Sequence, residues 1–180
     1  MSDAALKSIT IRFDPVEDRL LLRLLHSAET GAEAGCLLHV TRRIARELRG
    51  QLQRLAELSA QAPQHLAPST RTLVEAAHHQ AMADQVPIQP GPPMPKAADA
   101  APRLVVAMAV GRHQRSGAWV LQLSTNEGAP LTLTLADATL HGLLALLNRQ
   151  VSQADWELPT LGVEKAPERH SSAQMLREFH

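Results

Sequence analysis

Four closely spaced arginines are the residues of this chain best suited to gripping a ligand. Arg42, Arg43, Arg46 and Arg49 lie in the stretch Thr41–Leu58. At helical spacing, Arg42, Arg46 and Arg49 fall on one side with Gln53, flanked by Arg43, Glu47 and Arg54. Guanidinium groups so arranged bind phosphates or carboxylates through paired N–H donors. Arg112 and Arg115, in a polar loop further on, extend the candidate set to six. Together these residues define a candidate partner or anion surface. The plainer reading of the same arginines is a solvated helix face.

Other side chains offer less. The chain has nine histidines and one cysteine. His78 and His79 are neighbours on a helix and point about 100° apart, so they make a poor joint ligand pair. Glu75 and His79, four apart, are better placed, with His65 upstream, but no third fixed ligand stands near them in sequence. His26, His39, His113 and His141 are scattered and read as surface or half-buried residues. Cys36 precedes apolar residues, the setting of a buried and unreactive thiol. Asp14, Glu17 and Asp18 form an acidic turn without the rest of a calcium loop. No nucleophile elbow, phosphate-binding glycine loop or H-E-x-x-H is present. The sequence therefore supports no catalytic residue, metal site or cofactor.

Composition sets outer limits. The chain has 180 residues, 44% of them hydrophobic and 20% charged, with 18 basic and 18 acidic side chains. A neutral total argues against a protein whose whole field attracts nucleic acid. Only Lys7, Lys96 and Lys165 are lysines, and the arginine, alanine and leucine usage suggests a GC-rich bacterial gene. A single cysteine permits no internal disulfide. The N-terminus has no signal-peptide pattern and no apolar run approaches membrane-spanning length, so a cytoplasmic protein is expected. With two tryptophans, two phenylalanines and no tyrosine, the core must be aliphatic.

The elements that would position these residues can be read from periodicity. Ser8–Asp14 alternates as a strand with one buried face. Asp14–Asp18 supplies a turn. Arg19–His26 is apolar on both faces and could alone be read as helix, but the preceding strand and turn make it a second strand, placed centrally or under the helix. Cys36–Val40 is a third, leading into the helix Thr41–Leu58. Thr41 is its N-cap, and Ile44, Leu48, Leu52, Leu55 and Leu58 form its apolar stripe. Gly50 is unusual mid-helix, where it costs about 1 kcal/mol relative to alanine. Pro63 and Pro68 end the helix, and a second, less apolar helix is expected over Ser69–Gln85, with Leu73, Ala77 and Ala81 on one side and Val74 and Met82 beside them, lying outside or pairing with the first helix. Val86–Pro102 holds six of the twelve prolines and reads as a spacer. Then come strands at Leu104–Val110, Ala118–Ser124 and Leu131–Leu135. Asp137 or Thr134 can start a helix that runs to about Ser152. Ser171–Phe179 has the pattern of a short docking helix, unstable alone.

The predicted class is α+β: two pseudo-repeated β-β-β-α units sharing one core, plus the helix near 69–85 and the proline-rich linker. The expected boundaries are 1–86 for the first unit with its following helix, 87–102 for the linker, 103–158 for the second unit and 159–180 for a flexible tail. Placing Ile44, Leu48, Gln51 and Leu55 over Leu140, Leu144, Leu147 and Val151 brings the two orders of elements into register. A unit of about 50–60 residues is marginal alone, whereas two sharing a core are stable. The order is similar to that of other repeated strand-strand-strand-helix modules, some of which bind single-stranded nucleic acid. That likeness carries no motif.

The functional expectation is a non-catalytic accessory or scaffold protein that acts by protein–protein contact, with a second copy of itself among the partners considered. The competing class is a nucleic-acid-binding module using the arginine face of helix 41–58. No membrane partner is expected.

Overall fold

Alternation in Ile9–Phe13 and in Leu20–Leu24 sends one set of side chains inward from two paired strands. These become β1 (Leu6–Asp14) and β2 (Arg19–Ser27), joined by the acidic turn. Asp14 Oδ1 accepts from the backbone N–H of Val16 and of Glu17, which fixes the turn. β3 (Glu33–Val40) pairs antiparallel with β2. The computed structural model describes residues 6–27, 33–85, 101–113 and 116–156. Arg115, residues 86–100 of the expected proline-rich spacer, and residues 157–180 with the expected helix at Ser171–Phe179 lie outside the described residues.

After β3 the chain forms α1 (Arg42–Ala60) and α2 (Pro68–Ala83), then β4 (Arg103–Arg112), β5 (Trp119–Thr125), β6 (Leu131–Leu135) and α3 (Asp137–Gln153). The result is an α+β fold, with three helices on a mixed sheet of six strands in the order β1-β2-β3-β4-β5-β6. All pairs are antiparallel except β3 with β4, which meet in parallel at Leu38–Arg103 and His39–Leu104. The sheet curls until β1 and β6 approach one another, with α3 lying against both.

The core fills the concave side. Leu20, Leu22, Leu24, Leu38, Val40, Leu121, Leu123, Leu133 and Leu135 point into it from the strands. Ile44, Leu48 and Leu52 of α1 and Leu140, Leu143 and Leu147 of α3 close it from above. Each fully buried leucine contributes about 1.5–3 kcal/mol relative to exposure. Thr41 caps α1 as expected, its hydroxyl accepting from Ile44 N–H. Helix α3 starts at Asp137 with Ala136 at the N-cap and no side-chain cap.

α3 ties the chain's distant parts together. The Phe13 backbone N–H donates to Gln150 Oε1 at 2.8 Å. Just past the helix, Trp156 is buried, meets Phe13 edge-on at 5.8 Å and donates its indole N–H to Asp18 Oδ1.

Several details differ from the periodicity reading. The apolar stripe of α1 includes Leu58 by spacing, yet Leu58 is 65% exposed, because α1 outruns the surface it packs on. Leu73 of α2 is 70% exposed and Ala83 is that helix's one buried residue. Gly111 and Arg112 belong to β4, whose pairing with β5 continues to Arg112–Trp119.

Candidate functional site

The six arginines do not behave alike. Arg42, Arg43 and Arg46 are exposed at the start of α1 and make no ion pair among the described residues. Arg49 is half-buried and donates from Nε to Asn148 Oδ1 of α3 at 2.8 Å, so it helps join two helices. Arg112 stacks over the Trp119 ring at 5.0 Å and donates from Nε to the Gly117 carbonyl at 2.8 Å. That stacking and bonding hold the turn between β4 and β5. Gly117 sits there at φ +68°, where a side chain would be strained. Arg115 lies outside the described residues.

A second basic surface lies on the sheet. With α1, α2 and α3 all on the concave side, no described element covers the convex side. Strand alternation and register define what stands on it. One row crosses Arg12, Leu21, His39 and Leu104, and the next crosses Thr10, Arg23 and Leu37. Arg12 is exposed and the others are half-buried. Further across, β5 and β6 contribute Val120, Gln122, Thr132 and Thr134. Asp14 stands at the hairpin end, its carboxylate already engaged by the turn. Between the ends of the strands, no described position on this side is acidic. No described Phe or Trp stands there either: Phe13 and Trp119 both point to the concave side. Periodicity predicts a strand with one buried face but gives no hint that no described element covers the other.

The histidines give a result that spacing does not suggest. His78 and His79 of α2 both meet His141 of α3. His79 Nδ1 lies 2.8 Å from His141 Nδ1, and the His78 and His141 ring centroids are 5.1 Å apart, nearly perpendicular. His78 Nε2 is 3.4 Å from Ser59 Oγ of α1. His141, which reads from sequence as a surface or half-buried residue, is fully buried, and its Nε2 has no hydrogen-bond partner among the described residues. A 2.8 Å contact between two Nδ1 atoms requires one to carry a proton and the other to accept it. Burial, then His79 and His78, push His141 down to about 4, with Asp137 acting weakly the other way. Burial and then His78 also lower His79. The signal available in sequence is Gly142: a small residue beside His141 marks a turn of α3 buried on more than one side, from Leu140 to Leu144.

The remaining candidates are structural. Cys36 is half-buried against the core, and burial pushes its thiol up despite Arg103 alongside. A thiol so placed is a poor nucleophile at neutral pH. Among the described residues, no group of three or more His, Cys, Asp or Glu side chains is arranged to hold a metal ion. No described helix is long and apolar enough to cross a membrane. No protein-family model, curated protein or solved structure matches this chain.

Proposed function

We propose that this protein is a non-catalytic cytoplasmic accessory protein that binds a protein partner through the convex side of its sheet. The observation that carries the reading is the pair of rows Arg12–Leu21–His39 and Thr10–Arg23–Leu37, which no described helix covers. Arg12 and Arg23 have no ion pair among the described residues. Aliphatic side chains beside such arginines are the composition of protein contact surfaces, where arginine is enriched among the residues that dominate affinity. The partner surface is apolar with acidic residues, to complement Arg12 and Arg23.

The chemistry favours protein over nucleic acid on this side. Single-stranded nucleic acid is held by a basic groove together with stacking on aromatic rings, and among the described residues the convex side carries no Phe, Tyr or Trp, His39 being its one stacking-capable ring. A nucleic-acid reading rests instead on Arg42, Arg43 and Arg46, three exposed cations on one helix end. Three such contacts supply a weak, salt-sensitive attraction.

The two halves are proposed to be duplicated β-β-β-α units. In support, each half runs three antiparallel strands followed by a helix, and the parallel β3–β4 joint gives equivalent strands the same direction. Head-to-tail joining of this kind leaves one continuous convex surface to which both halves contribute.

The test is a photo-activated cross-linker placed at position 21 or 37 and, separately, at position 46, in the cells that make the protein. One discrete cross-linked protein from positions 21 and 37, a second copy included, lost on Arg23→Glu, supports the reading. Cross-links arising only from position 46, or only to nucleic acid, refute it.

A further inference from the structure

We infer that the contact between the His79 and His141 imidazoles holds α2 against α3 only while at least one of the two rings is neutral, so that protonation of both on acidification releases α2 from the body. This holds whichever surface of the protein binds a partner.

Two observations carry it. The first is the contact itself. At 2.8 Å between the two Nδ1 atoms, one N–H and one lone pair must face each other. A first proton, taken by the donating ring at Nε2, leaves its Nδ1–H facing the other ring's lone pair, but a second turns both Nδ1 atoms into donors, and the contact becomes repulsive. The charge also has nowhere to go, because His141 is fully buried and its other nitrogen has no partner among the described residues. An unpaired charge in such a place is expelled by rearrangement.

The second is how little else secures α2. Ala83 is its one buried residue, and Leu73 and Val74 are exposed. Against α1 it has the 3.4 Å contact of His78 with Ser59. Released, a helix of 16 residues is marginal in water and loses its backbone protection.

The groups around the contact all bear on its titration. His78 and His79 act on His141 from α2, and their positive forms oppose its protonation. Asp137, one turn earlier on α3, favours it, but its carboxylate also accepts from Trp119 Nε1 at 2.6 Å. Glu75, one turn before His79, is half-buried. From α1, the nearest charge bonded to α3 is Arg49, held by Asn148. β6 brings no titratable side chain, and β1 meets α3 at Phe13 and Gln150. No carboxylate is therefore hydrogen-bonded to either imidazole among the described residues.

The sign follows from the depressed value. A histidine that titrates near its ordinary 6.5 when released and at about 4 when docked favours docking fully above 6.5 and loses that contribution as pH falls towards 4. The test is amide hydrogen exchange of the full chain at pH 7 and pH 5, corrected for intrinsic rates. Exchange across Pro68–Ala83 should rise on the order of tenfold while the cores of α1 and α3 stay protected. The variant His79→Leu with His141→Leu should keep α2 exchange flat over the same interval. Unchanged α2 exchange in the natural sequence overturns the inference, as does a rise shared equally by α1 and α3 or an equal rise in the double variant. If that variant does not fold, imidazole nitrogen shifts of the natural sequence decide. His141 titrating well below 6.5, in step with α2 exchange, supports the switch, and His141 titrating at or above 6.5 overturns it.

Discussion

The backbone N–H of Phe13, on the outer edge of the first strand, donates to Gln150 Oε1 of the last helix at 2.8 Å. An edge strand left open is a template for pairing with another chain, and here a helix side chain occupies it. Gln150→Leu leaves a half-buried N–H without its partner, so unfolding free energy should fall by about 1–3 kcal/mol. Urea denaturation measures this directly, and a variant as stable as the natural protein would show that the bond contributes nothing.

The same link predicts how the halves behave apart. α3 belongs to the second half by sequence, yet it packs on α1 and β1 of the first, and Trp156 reaches back to Phe13 and Asp18. Peptides 1–86 and 103–158 should each show broad, non-cooperative melting and regain a cooperative transition when mixed. Cooperative melting of either alone would contradict a shared core.

Arg42 and Arg46 are exposed and have no ion pair among the described residues. Replacing both with alanine should change stability by no more than about 0.5 kcal/mol each. Arg49→Ala should cost more, since it removes the bond to Asn148. The ranking makes Arg42 and Arg46 clean probes of nucleic-acid binding. In a salt titration with single-stranded and duplex DNA or RNA, binding should be weaker than micromolar at physiological salt. Micromolar affinity lost in the Arg42→Ala/Arg46→Ala variant would instead favour the nucleic-acid reading.

His141 also sets a pH dependence of global stability. Its folded value of about 4 lies below the unfolded 6.5, so the unfolded chain binds more protons between them and stability falls as pH drops through that window. One histidine gives a slope of at most about 1.4 kcal/mol per pH unit. Denaturant midpoints measured from pH 7 to pH 4.5 should decline, and less steeply in His141→Leu. An identical slope in the variant would remove His141 from the account.

The elements of this fold are largely legible in the sequence because strands and helices impose strict periods. Leu131–Leu135 alternates cleanly and forms β6 at those residues. Arg19–His26 forms β2, with a neighbouring strand on each side, although Arg23 stands with Leu21 on its convex face. Thr41 caps α1. What periodicity misses depends on what packs against what. It shows one buried stripe per helix, but the start of α3 has α2 on a second side, so His141 is buried where its position on the wheel suggests a flank. Leu58 and Leu73 fail in the opposite sense: the stripe continues where the supporting surface has ended. The arginine set is legible as a cluster of charges, but spacing does not separate exposed Arg46 from Arg49 and Arg112, whose guanidinium groups are used within the fold.

The function assigned to the convex side of the sheet is tested most directly by affinity for the protein that cross-links to it, a second copy included. Titration calorimetry would compare the natural sequence with Arg23→Glu/Leu37→Asp on the sheet and Arg42→Glu/Arg46→Glu on α1. The account predicts at least about a hundredfold loss for the sheet variant, or roughly 2.8 kcal/mol, and less than about threefold for the helix variant. The reverse ranking, with the sheet variant binding as well as the natural protein, would contradict it.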